Sequence, residues 1–404
     1  MHGAVAITAV TAQNSCRVAR IFPLPVEEII AQMDAVMEDV HISAAKTGML
    51  YSAEIASAVA ERLASTDLPL VVDPVLVAGV GDPLGRDGLV EAVRERIAPL
   101  ATVITPNIPE AEVLTGLRIS TDDDVRMACR ALAKLGAEAV LLKGGHLDGD
   151  MSVDTFYHEG KFLRLGSPRV EVRGHGGGCI LSSYITANLA KGKGMWESFL
   201  VSRAAIMESI ACRSHVGRGV PLVEPMAGVI KDAHRYRISS RLKASAERAG
   251  EMLPKSWVPA NGADMVFCLP GAANKTDVCG VSVPARIIEG GRCPSFGSAP
   301  RLSTAVLTAM RHDGGIRAGI SLRCTNSVIT WARHEEMTVG TYRRRMAAGD
   351  LACCEREGME ELINFLGCVP DVVCDRGGPG TEPLVRVLAS SPEELVSRIE
   401  RALR

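Results

Sequence analysis

The sequence predicts an α/β protein, a parallel-sheet α/β domain followed by a second, smaller α/β domain. Three observations carry that prediction. At 404 residues the chain exceeds the size at which one hydrophobic core usually stops growing. From residue 4 to about 225, short aliphatic runs alternate with helical patterns and Gly/Pro turns, the rhythm of βαβ units. From 226 to about 260 charge and Ala rise and strand signals vanish, and they resume with GADMVFCLPGAA. The expected division is a first domain over 1–225, a linker with one amphipathic helix over 226–260, and a second domain over 261–404.

In order, the strand runs of the first domain are AVAITAV, AAKTGML, LPLVVDPVLV, ATVITPN and EAVLLKGG. Each leads into a turn of polar or small residues: Gln13, Thr47-Gly48, Asp73-Pro74, Thr105-Pro106-Asn107 and Lys143-Gly144-Gly145. Ligands of an open parallel sheet bind beyond the carboxyl ends of its strands, so these five turns are expected to line one site. SAEIASAVAERLAS and DDVRMACRALAKLG have helical spacing, and Thr121 before Asp122–Asp124 supplies an N-cap and an acidic first turn. In the second domain, GVSVPARIIEGGRCPSFG and CDRGGPGTEP are turn-rich punctuation between strands and helices.

Hydrophobic residues at 47% and charged residues at 23% exclude wholesale disorder, and aromatics at 4% leave an aliphatic core. With 45 basic and 47 acidic side chains the net charge is −2, which gives no electrostatic footprint for nucleic acid or an anionic membrane and favours small-molecule substrates. The 12 cysteines contain no CxxC, their only close pair being Cys353-Cys354, and read as buried thiols of a reducing cytosol. No apolar run approaches the roughly 20 residues of a membrane helix. A soluble cytoplasmic protein is expected, with its oligomeric state open and a homo-oligomer compatible. His312 and the other histidines have no partner at ligand spacing, so no transition-metal site is argued.

The strongest chemical signal is His175-Gly176-Gly177-Gly178-Cys179 running into an apolar helix. Three glycines allow backbone N–H groups of Gly176, Gly177 and Gly178 to converge at a helix N-terminus, an anion hole for a transferring phosphoryl group. Cys179 then sits at the positive end of that helix, where a thiolate is favoured and can take a proton from a substrate hydroxyl. The pattern also fits an inert Cys behind a flexible turn. Asn107 and Glu110, three apart after a strand, can hold a hydrated Mg²⁺ beside nucleotide phosphates, or can simply start a helix. Lys143 is a phosphate or nucleotide contact, or a surface lysine in a turn.

Together the ordered set TAVTAQN, KTGML, VVDPVLVA, ITPNIPEAEVLTG, VLLKGGH and HGGGC resembles the hydroxymethylpyrimidine/phosphomethylpyrimidine kinases of the ribokinase superfamily, over residues 1 to about 220. The resemblance implies a ribokinase-like domain that phosphorylates the pyrimidine precursor of thiamine twice, with ATP and Mg²⁺. By position, Gln13 bonds the aminopyrimidine edge, Met49 packs on its ring, and Asp73 belongs to the substrate site. Asn107, Glu110 and Lys143 serve the nucleotide and its Mg²⁺, Gly176 to Gly178 form the anion hole, and Cys179 is the base. The family opens with a strand and a Gly-rich SGGAGIQAD-like segment, whereas MHGAVAITAV resembles its second strand. The first strand is therefore expected upstream of Met1 or lost, leaving an unpaired sheet edge. The family's HGTGC reads HGGGC here, preceded by Gly174 in place of Thr, and its AKSGD reads AGVGD, with Gly79 and Val80 for Lys and Ser.

Residues 261–404 resemble ThiN-type thiamine-phosphate synthase domains through NGADMVFCLPGA, VPARI, FGSAPRLSTAVLTAMRHD, IRAGISLR and GCVPDVVCDRGGPGTEPLVRVL. That implies joining the pyrimidine diphosphate to hydroxyethylthiazole phosphate with release of pyrophosphate. Arg286 matches the family's arginine for the departing phosphates, a task suited to a bidentate guanidinium, or is a surface arginine closing a turn; Arg376 is a second candidate, or the adjacent Asp375 is its structural partner. Arg301 stands where the family carries a His, Ser321 where it carries Asn, and Thr381 where it carries Lys. These departures keep a second class in view: a diverged binder of thiamine phosphate or its precursors acting as a sensor, or a protein with one working domain. No DNA-binding module accompanies that reading; the segment 231–255 carries one helix at most, with acids among its bases.

Overall fold

The computed structural model describes residues 2–76, 85–144, 150–169, 175–283, 293–343, 351–377 and 382–403. The chain divides into two compact units, Met1–Gly228 and Val229–Arg404.

The first unit is built on a six-stranded sheet whose order is β3 (Ala45–Thr47), β4 (Leu70–Val72), β5 (Val103–Ile104), β6 (Ala139–Leu142), β7 (Met151–His158) and β8 (Lys161–Pro168). The first four strands run parallel, and the β7–β8 hairpin adds two antiparallel strands. Strand alternation gives each face its own core. Leu70, Val72, Ile104, Val140 and Leu142 face helices α1 (Val26–Asp39), α2 (Ala53–Ala64), α3 (Leu89–Ala92), α4 (Ile108–Thr115) and α5 (Asp122–Lys134). Val71, Val103, Ala139 and Leu141 face α6 (Gly177–Ala190) and α7 (Met195–Ala211), where Phe156 stacks on Phe199. The Thr121 cap forms as a full capping box with Asp124, whose carboxyl the Thr121 and Ser120 donors pull down to about 2.

One strand departs from expectation. Ala9–Gln13, here β1, joins no parallel sheet; it pairs antiparallel with β2 (Val18–Pro23) in a separate two-stranded ribbon. The reason is local: four residues after β1, the sequence offers a second β run, and Asn14 closes the turn by accepting the amides of Cys16 and Arg17 through Oδ1. The edge of the parallel sheet is β3.

The second unit has a seven-stranded sheet in the order β11 (Ser295–Phe296), β10 (Val278–Val283), β9 (Ala263–Cys268), β12 (Ala318–Arg323), β15 (Leu384–Ala389), β14 (Val372–Asp375), β13 (Val339–Tyr342). All described pairings are antiparallel except β13–β14. One face packs on α8 (Ala227–Met252), α10 (Asn326–His334) and α12 (Pro392–Ala402), the other on α9 (Pro300–His312) and α11 (Leu351–Leu366). The helix expected within 226–260 is α8, and Ile238, Leu242, Ala246 and Ala249 are part of the second unit's core. Its helical period presents a buried stripe, so the segment is structural rather than a free tether. No described helix is long and apolar enough to cross a membrane.

Candidate functional site

Four of the five turns read from the sequence leave the carboxyl ends of adjacent parallel strands. Gly48 follows β3, Asp73 follows β4, Thr105 follows β5 and Lys143 follows β6. Their backbones stay in register beyond the strands, with Asp73 N–H bonded to Thr47 O, Thr105 N–H to Val72 O and Lys143 N–H to Pro106 O. Gln13 stands apart, on the ribbon, with its Nε2 buried and without a partner among the described residues. The segment before β1 does reach the Met49 turn, where Thr8 Oγ1 donates to Met49 O at 2.6 Å.

Asp73, only 2% exposed, is the hub. Its Oδ1 accepts from Lys143 Nζ at 3.0 Å and from Thr105 Oγ1 at 3.3 Å, and its Oδ2 from Ser182 Oγ at 3.3 Å. Glu110, also buried, lies 3.8 Å from the same ammonium. Burial raises the Glu110 carboxyl above its ordinary value against the pull of Lys143. Burial alone would lower the Lys143 ammonium, but Asp73 and Glu110 outweigh it and hold it above its ordinary value. Asn107 and Glu110 are committed to each other as a capping box for α4: Glu110 N–H donates to Asn107 Oδ1 at 2.9 Å and Asn107 N–H to Glu110 Oε2 at 2.8 Å. The helix-start reading of this pair is thus realised, while the Glu110 carboxylate still faces Lys143.

The glycine run arrives from the other side. Gly176 takes φ +92° at the N-cap of α6, a conformation suited to glycine, and no side chain caps the helix. Gly178 is pressed against the hub, for a Cβ there would stand 3.1 Å from Lys143 Nζ and 3.8 Å from Asp73 Oδ2. Cys179 comes next, exposed to solvent at its surface over a densely packed floor. The expectation of a favoured thiolate is corrected here. Desolvation and the Asp73 carboxylate raise the Cys179 thiol above its ordinary value, against the opposing pull of Lys46 and Lys143. The helix terminus supplies positive potential, but desolvation first and the buried Asp73 carboxylate second oppose the thiolate. Beside the hub a small cleft is lined by Thr47, Gly48, Leu50, Asp73, Val75 and Leu89. Thr47 Oγ1 is buried there without a hydrogen-bond partner among the described residues. Thr47 belongs to one of the five turns expected to line the site, whereas Lys46 carries no sequence signal beyond its place in KTGML.

The second unit holds a charge cluster at the ends of β13 and β14. Arg386 in β15, Glu355 in α11 and Asp375 in β14 are all at most 1% exposed. Arg386 Nη2 donates to Glu355 Oε2 at 2.8 Å and to Asp375 Oδ2 at 3.2 Å, and its Nη1 to Tyr342 Oη, which donates to Glu355 Oε1 at 2.6 Å. Asp375 therefore turns inward to Arg386, while Arg376 is exposed. Arg301, on the first turn of α9, faces the same carboxylates at 4.0 Å from Glu355 and 3.6 Å from Asp375, too far to hydrogen-bond; its Nε and Nη2 are buried without a hydrogen-bond partner among the described residues. Ser321 is used by the fold, accepting Asp264 N–H at 3.0 Å. Arg286, Gly79, Val80, Gly174 and Thr381 lie outside the described residues. Sequence reading misses Arg386, Glu355 and Tyr342; the available signal is an arginine inside the apolar run LVRVLA. The expectation of buried thiols holds for Cys129, Cys268 and Cys279, which desolvation pushes up to about 12, 12 and 11, and for Cys374, but is corrected for Cys16, Cys179, Cys212, Cys293 and Cys368, which are exposed.

Residues 1–224 match the family model described as phosphomethylpyrimidine kinase, and residues 244–401 that of thiamine-phosphate synthase ThiN. The chain is similar to the hydroxymethylpyrimidine/phosphomethylpyrimidine kinase of Streptomyces coelicolor, 42% identical over 224 residues that cover 55% of this chain and 83% of that one. It is 42% identical over 220 residues to the thiamine biosynthesis bifunctional protein ThiED of Geobacter sulfurreducens, covering 54% of this chain and 45% of that one. Among solved structures it resembles an ADP complex of Bacillus subtilis pyridoxal kinase, with a TM-score of 0.53 and 31% identity over 57% of this chain and 88% of that one.

Proposed function

The chain belongs to the phosphomethylpyrimidine kinase family, with a ThiN domain behind the kinase unit, and from that premise we propose that it makes thiamine phosphate in two stages. The first unit transfers phosphoryl groups from ATP to hydroxymethylpyrimidine and then to its monophosphate. The second couples the diphosphate to hydroxyethylthiazole phosphate and releases pyrophosphate. One observation carries the kinase reading: the strand ends of β4, β5 and β6 bring Asp73, Glu110 and Lys143 against the uncapped, glycine-opened N-terminus of α6.

The donor set suits Mg²⁺, since two buried carboxylates face one ammonium within 4 Å, a surplus of negative charge in a low-dielectric site. Asp73 and Glu110 would hold the ion directly or through water, and a bound Mg²⁺ would supply neutralisation of nucleotide phosphate charge. Lys143 offers its ammonium to the transferring group, and the amides of Gly177 and Gly178 receive the charge that develops on its oxygens. Cys179 as thiolate takes the proton of the substrate hydroxyl, its own thiol proton having first passed to solvent; desolvation and then Asp73 oppose that ionisation, so counter-charge placed on Asp73 favours the base. Gln13 Nε2 and Thr47 Oγ1, both buried and unpartnered among the described residues, are donors suited to a heteroaromatic edge. In the second unit, Arg301 and Arg376 bind the phosphates, together with Arg286. The absence of nucleic-acid features in composition agrees with small-molecule substrates throughout.

The test is direct. Given hydroxymethylpyrimidine, ATP and Mg²⁺, the full chain should form the monophosphate and then the diphosphate, resolved by mass spectrometry. A folded chain that leaves the pyrimidine unphosphorylated would refute the kinase assignment.

A further inference from the structure

We propose that Asp154, braced by Arg203, is a positioning residue for phosphoryl transfer that sets the Lys143 ammonium on its target. The inference rests on the kinase reading of the first unit. Lys143 follows β6, and both neighbouring peptide groups are fixed. On one side Lys143 N–H donates to Pro106 O at 2.9 Å, extending the parallel ladder from β5. On the other, Gly144 N–H donates to Asp154 Oδ1, on β7, at 3.0 Å. The second Asp154 oxygen lies 2.7 Å from Arg203 Nε, in a pair whose side chains are 14% and 8% exposed. Arg203, on α7, also donates from Nη2 to Ser167 Oγ of β8 at 2.8 Å, so one guanidinium ties the helix to both strands of the hairpin.

The turn has no slack. A Cβ at Gly144 would overlap Val153 O, so the backbone is seated directly on β7, and only glycine permits that approach. Asp154 faces neither the hub nor the cleft. What it fixes is the direction in which Lys143 leaves the sheet, and Lys143 Nζ then meets Asp73 at 3.0 Å and Glu110 at 3.8 Å. A charge-bearing group displaced by about 1 Å can cost up to about 10²-fold in rate, so the effect should fall on kcat rather than on substrate binding. A buried ion pair that braces a turn is also unusual in its cost: alone, it adds little stability, which fits a role in placement.

The experiment uses the full chain and steady-state kinetics with hydroxymethylpyrimidine and ATP, at a temperature where melting curves show each variant folded. Asp154→Ala should lower kcat roughly 10- to 100-fold with the pyrimidine KM within about twofold of wild type. Asp154→Asn should recover most of the loss, because its Oδ1 still accepts the Gly144 amide. Since Asp154→Ala leaves Arg203 buried and uncompensated, the paired variant Asp154→Ala/Arg203→Met supplies a second reading, and the kcat loss should persist in it. Wild-type kcat in either folded Ala variant, or equal loss in the Ala and Asn variants, would overturn the proposal. An inactive wild type would contradict the kinase reading instead, and the clamp would then be judged by hydrogen exchange at the Gly144 amide. That amide should be slow in wild type and in Asp154→Asn and fast in Asp154→Ala; exchange unchanged by Asp154→Ala would overturn the clamp on its own.

Discussion

The two units handle buried charge in opposite ways. At the strand ends of the first, Asp73 and Glu110 face one ammonium, leaving a negative surplus beside a helix terminus without a cap. In the second, Glu355 and Asp375 face two guanidiniums, of which Arg386 is fully buried and bonded to both, while Arg301 stands at the rim at ion-pair distance. A surplus is a request for a counter-charge from outside, whereas a balanced cluster is mainly architecture with one spare cation. On the proposed function, the first unit's site would be completed by a ligand, and the second's would hold an arginine in place for one.

Substitutions on each side put that contrast at risk. The largest effect is expected at Arg386: replacing it with Met removes the fully buried guanidinium bonded to both Glu355 and Asp375, and should cost about 3–5 kcal/mol in the second unit. Denaturant unfolding monitored through the Trp257–Trp331 pair, in a Trp196→Phe background, would show it. An unchanged midpoint would mean that the cluster is not balanced as described. Next, Cys179→Ala should lower phosphoryl transfer by about 10²–10⁴-fold, read as kcat with hydroxymethylpyrimidine; wild-type turnover would remove Cys179 as base. Arg301→Gln should weaken binding of pyrophosphate to the full chain roughly 10- to 100-fold in calorimetry, the value of charged hydrogen bonds, with the melting temperature nearly unchanged. Unaltered affinity would leave Arg301 a structural cation only.

Titration reads the first unit's charge surplus directly. Because desolvation, and after it Asp73, raise the Cys179 thiol above its ordinary value, its titration is displaced to higher pH than that of a free cysteine. Alkylation of Cys179 in the free protein should therefore rise at higher pH than alkylation of a free cysteine, and Asp73→Asn should move the rise to lower pH. Reaction already at its plateau near neutral pH would show that the carboxylate does not hold the thiol protonated. The smallest effect concerns the glycine run. Gly177 has room for a methyl group, its nearest neighbour being Val223 Cγ2 at 3.9 Å, whereas Gly176 has φ +92°. Gly177→Ala should stabilise by about 0.4–1 kcal/mol and Gly176→Ala should destabilise, measured by thermal melts.

Much of the first unit is legible in the sequence because its site is assembled from strand ends, and each strand announces its end with a turn residue. Asp73, Thr105 and Lys143 can be placed on one rim from period and punctuation alone. The β1–β2 ribbon cannot, since an aliphatic run is equally suited to a central strand and to a hairpin, and its pairing is decided by the neighbouring run Val18–Pro23. Cys179 is found by its place after three glycines, yet its protonation is not, because the Asp73 carboxylate comes from 106 positions earlier in the chain. The second unit's cluster is hidden for the same reason: Arg301, Tyr342, Glu355, Asp375 and Arg386 come from five different elements, and single charged residues spaced along a sequence carry no motif. Arg301 and Asp375 are found through their family positions and not as a cluster, and Arg386 leaves the trace of a charge inside a run of buried strand residues.

Whether one chain carries both stages can be decided in a single reaction. The purified protein is given hydroxymethylpyrimidine, ATP, Mg²⁺ and hydroxyethylthiazole phosphate, and thiamine phosphate is measured by mass spectrometry against time. Thiamine phosphate is expected after a lag in which pyrimidine diphosphate accumulates, and Cys179→Ala is expected to form it only when the diphosphate is supplied. A folded chain that forms no thiamine phosphate from either starting point would contradict the two-stage assignment.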